Sequence, residues 1–139
     1  NKTYKYMKKY KVTHYSAMQI SIPPMNEEDE SPFYEKHKPL IIEKSEQLDT
    51  NKNESSKIIE MSESFVISND YYEEGYSNAW VEPKWETEVF ADSKEEAINK
   101  VKDGYYNCLE GETIGDTFIH HDTADVIIDE TFEAQLLKE

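Results

Sequence analysis

The sequence contains no arginine: all 15 basic residues are lysines, and they stand against 30 aspartates and glutamates. Arginine is the residue that best makes the paired hydrogen bonds by which proteins recognise phosphate and carboxylate groups. Its absence, together with a formal net charge of −15, argues against a protein that binds nucleic acid or an anionic membrane directly. Such a charge serves solubility, or it forms a surface that attracts a basic partner.

Cysteine and long apolar runs are also scarce. The one cysteine, Cys108, cannot form an internal disulfide, which fits a reducing compartment and predicts a cytoplasmic location. No apolar run approaches the ~18 residues that cross a membrane. The stretch from Asn1 to Tyr15 mixes lysine with tyrosine and lacks the apolar region of a secretory signal. A chain of 139 residues fits one domain, so a multidomain enzyme is excluded.

The supply of aliphatic core residues is low. Isoleucine, leucine, valine and phenylalanine make up 28 of the 139 residues, close to the ~20% below which highly charged chains stay disordered. Ten tyrosines and two tryptophans favour a folded state, because each buried ring removes roughly 150–250 Å² from water. We therefore expect residues 1–139 to form a single domain with an aromatic-rich core. Residues 47–56, QLDTNKNESS, have almost nothing to bury and are predicted to form a mobile polar loop.

Alternation of apolar and polar residues predicts a β-rich chain. The clearest case begins at Tyr10 and ends before Pro23, since proline cannot donate to a β-ladder. For the same reason Pro83 is expected to separate Ala79 from the strand that follows it. The predicted strands cover residues 10–22, 57–68 (with a bulge, or as two short strands), 84–91, 117–120 and 124–137.

One helix is well marked. Ser93 and Glu96 form the capping box Ser-x-x-Glu, and Gly104 is suited to close the helix, which predicts a helix at about residues 93–103. Ser31-Pro32 also resembles a helix start, but Pro39 interrupts the apolar spacing that follows. The sequence therefore predicts an α+β domain, with one helix across one face of a mostly antiparallel sheet.

The run from Trp85 to Lys102 resembles a motif of small proteins from phages and conjugative elements. The motif is a strand, then Ala-x-[Ser/Asn]-x-Glu-Glu-Ala-Ile, then a helix that leads into a return strand, and here it reads Ala91-Asp-Ser93-Lys-Glu-Glu-Ala97-Ile98. Over roughly residues 84–137 the chain is similar to the DpnD/PcfM-like group. The resemblance implies a compact β-α-β unit and an origin in a phage or mobile element. That group has no established catalytic residues to carry over.

Signatures of catalysis are weak. His120, His121 and Asp122, with Asp116, Asp125 and Asp129 nearby in sequence, form the only His-rich cluster, but adjacent residues of a strand point to opposite faces. The glycines form no phosphate loop, and Cys108 has no marked positive neighbours. We therefore predict no enzymatic activity, no cofactor and no metal site. A hydrolase or metal protein built on His120 and Asp122 is a further alternative.

The acidic residues are more informative. Glu86 and Glu88 share one face of a predicted strand, and Asp129 and Glu133 share a face of another, so the two faces would merge into one negative surface if the strands were neighbours. Two acidic loops would extend this surface, and tyrosines would provide aromatic anchors at an interface. The candidate partner-binding residues are Glu27, Glu28, Asp29, Glu30, Asp70, Tyr71, Tyr72, Glu73, Glu74, Tyr76, Glu86, Glu88, Asp129 and Glu133.

These features lead to two main hypotheses. The first is an acidic, non-enzymatic phage or mobile-element protein that blocks a basic, nucleic-acid-binding host defence protein, such as a nuclease effector, by nucleic-acid mimicry in the manner of anti-CRISPR or anti-restriction inhibitors. The second is an accessory protein of a conjugative or phage replication assembly. In that case the Lys/Tyr-rich N-terminal strand would pair with a partner strand or with a second copy in a homodimer.

Overall fold

A single antiparallel sheet organises the chain. The computed structural model describes residues 8–22, 33–47, 56–68, 77–104, 109, 111–115, 117–120 and 126–138. The described strands follow the order β2-β3-β1-β5-β4, and β6 also pairs with β1. In chain order the elements are β1 (Lys8–Ile22), α1 (Phe33–Gln47), β2 (Ser56–Ser68), β3 (Ser77–Ala91), α2 (Lys94–Gly104), β4 (Thr113–Ile114), β5 (Thr117–Ile119) and β6 (Val126–Lys138). The prediction of an α+β fold is confirmed.

Strand β1 lies at the centre of the sheet. One of its edges pairs with β3 from Lys8 to Ile22, and the other pairs first with β6 and then with β5. Its even-numbered residues from Tyr10 to Ile20 are buried, whereas the odd-numbered ones are half-buried, as the alternation predicts. Both edges of β1 are occupied within the chain from Lys8 onward. Residues 1–7 of the Lys/Tyr-rich segment lie outside the described ranges, so the strand pairing of the second hypothesis stays a prediction.

Both helices lie on the buried face of the sheet and form two core clusters. Ile41 of α1 belongs to the cluster that contains Met18 and Trp85, and Ala97 of α2 belongs to the cluster that contains Val12. Because Val12 and Met18 lie on the same face of β1, the two helices sit side by side on that face. The segment of β1 between them carries two buried polar residues, His14 and Ser16.

Helix α2 begins as its sequence predicts. The Ser93 hydroxyl oxygen accepts a hydrogen bond from the Glu96 backbone N–H at 3.1 Å, and the Glu96 carboxylate accepts one from the Asp92 N–H at 3.0 Å. Glu96 thus reaches one residue further back than in the usual capping box. The helix ends at Gly104, and buried Ala97 and Val101 attach it to the sheet.

Substituting Ser93 with alanine is expected to lower the free energy of unfolding by about 1 kcal/mol, because an N-terminal N–H of α2 loses its acceptor. Urea denaturation monitored by circular dichroism measures the change. The control is Asn99→Ala, which changes an exposed residue in the middle of the same helix and should be neutral or slightly stabilising. Equal stabilities of the two variants would contradict the capping role.

Pro83 does not split β3, contrary to the sequence prediction. The strand runs continuously from Ser77 to Ala91. Pro83 interrupts the pairing of β3 with β1, because the residues of β1 opposite Pro83 form no pair in that ladder. On its other edge Pro83 still pairs with Met61 of β2. Val81 and Trp85 on either side of it are fully buried, and this packing keeps the backbone extended.

Helix α1 continues through Pro39, where the sequence pattern is interrupted. Its second half is anchored by Ile41 and Ser45, both fully buried. The Ser45 hydroxyl donates to the Ile42 carbonyl at 2.6 Å and accepts the backbone N–H of Ile58 in β2 at 2.9 Å. Tertiary contacts thus compensate for the hydrogen bond that proline cannot make. Of the predicted loop at 47–56, Gln47 ends α1 and Ser56 begins β2, and the residues between them lie outside the described ranges.

Candidate functional site

The four acidic sheet residues do not merge into one surface, because their strands are not neighbours. Strand β3 carries Glu86 and Glu88, β6 carries Asp129 and Glu133, and each strand pairs with β1. Thr13 of β1 lies between Glu86 and Glu133. The condition for one merged negative surface, that the two acidic strands are neighbours, is therefore not met: the central strand, whose charged residues are all lysines, separates them.

Lysines lie among these acids on the outer face of the sheet. Lys11 of β1 lies opposite Glu88, and the Lys9 ammonium is 3.4 Å from the Glu88 carboxylate. The Lys84 ammonium lies 5.6 Å from the centre of the Tyr15 ring. Such exposed ion pairs are worth only about 0–1 kcal/mol, but they neutralise the potential of this face. The outer face is consequently a mixed-charge surface.

The remaining candidate residues lie outside the described ranges: Glu27, Glu28, Asp29, Glu30, Asp70, Tyr71, Tyr72, Glu73, Glu74 and Tyr76. The sequence nevertheless shows how charge divides between the two parts of the chain. The described residues include 16 acidic residues and 12 lysines, a net charge of −4. All other residues include 14 acidic residues and 3 lysines, a net charge of −11. Most of the uncompensated charge thus belongs to the segments that connect the described elements.

Two of these acidic segments join the sheet at neighbouring points. Ile22, the last residue of β1, pairs with Ser77, the first residue of β3, and Ser77 also pairs with Ser68 at the end of β2. The residue before segment 23–32 and the two residues that flank segment 69–76 therefore lie side by side at one end of the sheet. These two segments contain seven acidic residues and no lysine. We call them the acidic segments.

His120 follows β5 and ties that strand to β1. Its backbone N–H donates to the Gln19 carbonyl at 2.9 Å, and its Nε2 atom lies 2.7 Å from the Ser21 hydroxyl oxygen. A serine within hydrogen-bond reach of a histidine is also the arrangement of an activated nucleophile, but a nucleophile needs access to its substrate. Both side chains are buried here, so their contact holds two strands together.

The metal hypothesis gains no support from the described part of the chain. Within it, no group of three histidine, cysteine, aspartate or glutamate side chains is placed to hold an ion. His121, Asp122, Asp116 and Asp125 lie outside the described ranges, and for Asp129 only the backbone is described. A site at His120 and Asp122 stays an untested alternative to the prediction of no metal site.

His14 is a buried group to which the sequence assigned no role. Its imidazole is 1% exposed and stacks on the Phe132 ring of β6, with ring centroids 4.4 Å apart and planes within 1°. Burial lowers the pKa of His14 from 6.5 to about 4. The even-numbered position of His14 in β1 predicts burial, but its stacking partner depends on a bulge in β6 that leaves no clear sequence signal.

The structure also shows exposed apolar side chains that the sequence analysis did not select. Phe90 is 51% exposed, and Leu136 and Leu137 at the end of β6 are 38% and 43% exposed. Ile59 and Leu40 are exposed to a similar degree. The end of β6 is the only place in the described chain where two of these residues are consecutive, so it is the strongest apolar candidate for a contact surface.

Comparison of the chain with protein-family models, with curated proteins and with solved structures finds no match in any of the three. None of the described helices is long and apolar enough to cross a membrane. The resemblance of residues 84–137 to the DpnD/PcfM-like group therefore stays a prediction.

Proposed function

We propose that this protein is a non-enzymatic acidic binding protein that occupies the cationic groove of a nucleic-acid-binding protein and so blocks it. The observation that carries the proposal is the division of charge between −4 on the described residues and −11 on the residues outside the described ranges. A cationic groove attracts concentrated negative charge and gains little from a mixed surface.

The acidic segments are the proposed contact region, in place of the sheet face. They join the sheet at adjacent strand ends, marked by Ile22, Ser68 and Ser77, which favours their acting together on one partner. Their three tyrosines, Tyr71, Tyr72 and Tyr76, are residues of the kind that anchor interfaces. The sheet residues Glu86, Glu88, Asp129 and Glu133 have at most a peripheral role in this proposal.

The specific form of the proposal is a phage or mobile-element inhibitor that acts in the host cytoplasm on a defence nuclease. Such enzymes hold nucleic acid in positively charged channels, so an acidic protein can compete for the channel without reading any sequence. Two features support this more specific proposal: the division of charge, and the resemblance of residues 84–137 to small proteins of phages and conjugative elements.

The proposal predicts salt-sensitive inhibition of at least one nuclease. Purified RNA-guided nucleases and restriction endonucleases are assayed for plasmid cleavage with increasing amounts of the protein, at low and at high ionic strength. Neutralising the first acidic segment with Glu27→Gln, Glu28→Gln, Asp29→Asn and Glu30→Gln removes four ion pairs of about 0.5 kcal/mol each, so inhibition should weaken about 30-fold.

The matched control removes the same charge elsewhere, through Glu43→Gln, Glu46→Gln, Glu60→Gln and Glu130→Gln, all at exposed positions of described elements. This control should inhibit nearly as well as the unchanged protein. The proposal is wrong if no nuclease is inhibited at low salt, or if both variants lose inhibition equally, since the latter means that only total charge matters.

The second hypothesis, an accessory protein of a conjugative or replication assembly, is favoured by one observation. Leu136 and Leu137 are exposed on β6, and within the described chain β6 pairs with β1 alone. An assembly held at this edge would tolerate neutralisation of the acidic segments and would be disrupted by a charge at Leu137. The two hypotheses therefore predict opposite responses to the same pair of variants.

A further inference from the structure

The outer face of the sheet carries charge along most of β1 but not at its C-terminal end. The odd-numbered residues of β1 point away from the two helices, and no described helix covers them. Six of these residues pair with β3, and the first four pairs each include a charged residue. The last two pairs, Gln19 with Trp80 and Ser21 with Asn78, include none.

Two residues at β5 extend this region across β1. Phe118 pairs with Ser21 on the edge of β1 that faces away from β3. The His120 Nε2 atom lies 2.7 Å from the Ser21 hydroxyl oxygen, and the His120 ring meets the Phe118 ring edge-on with centroids 5.6 Å apart. Ser21 and His120 are buried, whereas Gln19, Trp80 and Phe118 around them are half-buried. We call these five residues the aromatic patch.

The aromatic patch lies where the acidic segments join the sheet. Ser21 is next to Ile22, the last residue before segment 23–32, and Trp80 follows soon after Ser77, the first residue after segment 69–76. The two segments add seven acidic residues and no lysine. An interface typically has aromatic residues at its centre and polar residues at its rim. Aromatic rings beside concentrated negative charge fit a cationic partner.

Arginine suits the aromatic patch better than lysine does. The guanidinium group of arginine is planar, stacks on aromatic rings and is less strongly hydrated than an ammonium group. Tryptophan provides the best ring for a cation. Gln19, the cross-strand neighbour of Trp80, carries an amide oxygen of the kind that accepts guanidinium N–H groups.

The composition of the chain favours the same choice. The chain contains 15 lysines and no arginine. Two of its lysines lie over aromatic rings of the same outer face, Lys9 at 5.9 Å from the centre of Phe90 and Lys84 at 5.6 Å from that of Tyr15. A patch that prefers arginine therefore distinguishes a partner from other copies of this chain, which offer only lysine.

We propose that the aromatic patch anchors an arginine side chain of the cationic partner, with the guanidinium group stacked on Trp80. The acidic segments then attract the basic surface around that arginine. Because Trp80 is half-buried, its ring is held by packing, and a rigid anchor loses little entropy on binding. The inference rests on the proposed function for the identity of the partner, and it adds the residue by which the partner is recognised.

Two peptides of equal charge test the preference. Nona-arginine and nona-lysine are titrated into the full chain at the same ionic strength, and binding is measured by calorimetry. The chain should bind nona-arginine about tenfold more tightly, as expected for a cation stacked on tryptophan. In NMR spectra nona-arginine should shift the indole N–H signal of Trp80 but not that of Trp85, the only other tryptophan, which is buried. Absent binding of nona-arginine, equal affinity for both peptides, or shifts that spare Trp80 each overturn the proposal.

Two substitutions separate the ring of Trp80 from its bulk. Trp80→Leu keeps an apolar side chain without a ring and should abolish the preference for nona-arginine, whereas Trp80→Phe keeps a ring and should retain part of it. The matched control is Phe90→Leu, at a 51% exposed aromatic residue of the same strand, which should keep the full preference. Equal losses in Trp80→Leu and Phe90→Leu would place the anchor elsewhere. The peptide comparison on the unchanged chain decides the proposal even if Trp80→Leu does not fold.

Inhibition assays distinguish this inference from the proposed function. Against a nuclease that the chain inhibits, Trp80→Leu should raise the concentration needed for half-maximal inhibition about tenfold, and Phe90→Leu should leave it unchanged. Undiminished inhibition by a folded Trp80→Leu variant would refute the anchor and leave the proposed function intact. If no nuclease is inhibited but nona-arginine binds at Trp80, the proposed function fails and the anchor stands.

Discussion

Replacing Trp85 with alanine is expected to lower the free energy of unfolding by about 3–5 kcal/mol, the range for a large aromatic residue removed from a core. Trp85 is fully buried, lies in the middle of β3, and belongs to the cluster that joins α1 to the sheet. Because a domain of this size is stable by only about 5–15 kcal/mol, the variant should unfold at far lower urea concentration than the unchanged protein, and both are measured at low temperature. Urea titration by circular dichroism measures the difference.

Two milder variants separate the apolar part of this effect from the polar part. The Trp85 indole N–H donates to the Ser16 hydroxyl oxygen at 2.9 Å, a contact between buried groups of adjacent strands. Trp85→Phe keeps an aromatic ring and loses this hydrogen bond. A double-mutant cycle that combines Trp85→Phe with Ser16→Ala should give a coupling energy of about 1 kcal/mol between the two side chains. A cost below about 1 kcal/mol for Trp85→Ala would mean that the α1 cluster is not the main core.

The sequence predicted the elements that are marked by a local signal or by a periodic pattern of apolar residues. The alternation of β1 and the capping residues of α2 are such signals, and the structure confirms both. The errors concern the two prolines. Pro39 and Pro83 are unfavourable locally, but Ile41, Val81 and Trp85 beside them are fully buried, and the packing of these residues outweighs the lost backbone hydrogen bonds.

The sequence could predict which residue types form the candidate site, but not how the structure arranges them. Sequence shows that Glu86 and Glu88 share a strand face, and the structure agrees that both lie on the outer face of β3. Which strand lies beside β3 depends on long-range pairing, and sequence patterns carry little information about strand order. The insertion of lysine-bearing β1 between β3 and β6 therefore had no local signal, and it moves the proposed contact region to the acidic segments.

Acidification should destabilise the protein through His14, by up to about 3 kcal/mol between pH 6.5 and pH 4. Above pH 6.5 the imidazole is neutral in both the folded and the unfolded chain, and it contributes no pH dependence. Below pH 6.5 the unfolded chain binds a proton, whereas the folded chain does not do so until about pH 4, because burial against Phe132 lowers the pKa of His14 to about 4. The free energy of unfolding therefore falls as the pH falls through this window, and His14 adds little further loss below it.

Comparison with a variant isolates this contribution from the carboxylates, which titrate in the same range. His14→Leu removes the titrating group, so the difference in unfolding free energy between the unchanged protein and this variant should change by about 3 kcal/mol from pH 7 to pH 4. His14→Gln keeps a polar group but has no titrating imidazole. It should show the same change in the pH dependence of the unfolding free energy as His14→Leu, even if it is less stable at neutral pH. The His14 ring resonances in an NMR titration should move with a midpoint near pH 4. A midpoint near pH 6.5 would mean that solvent reaches the imidazole, and the stacked contact between β1 and β6 would then have to be open in solution.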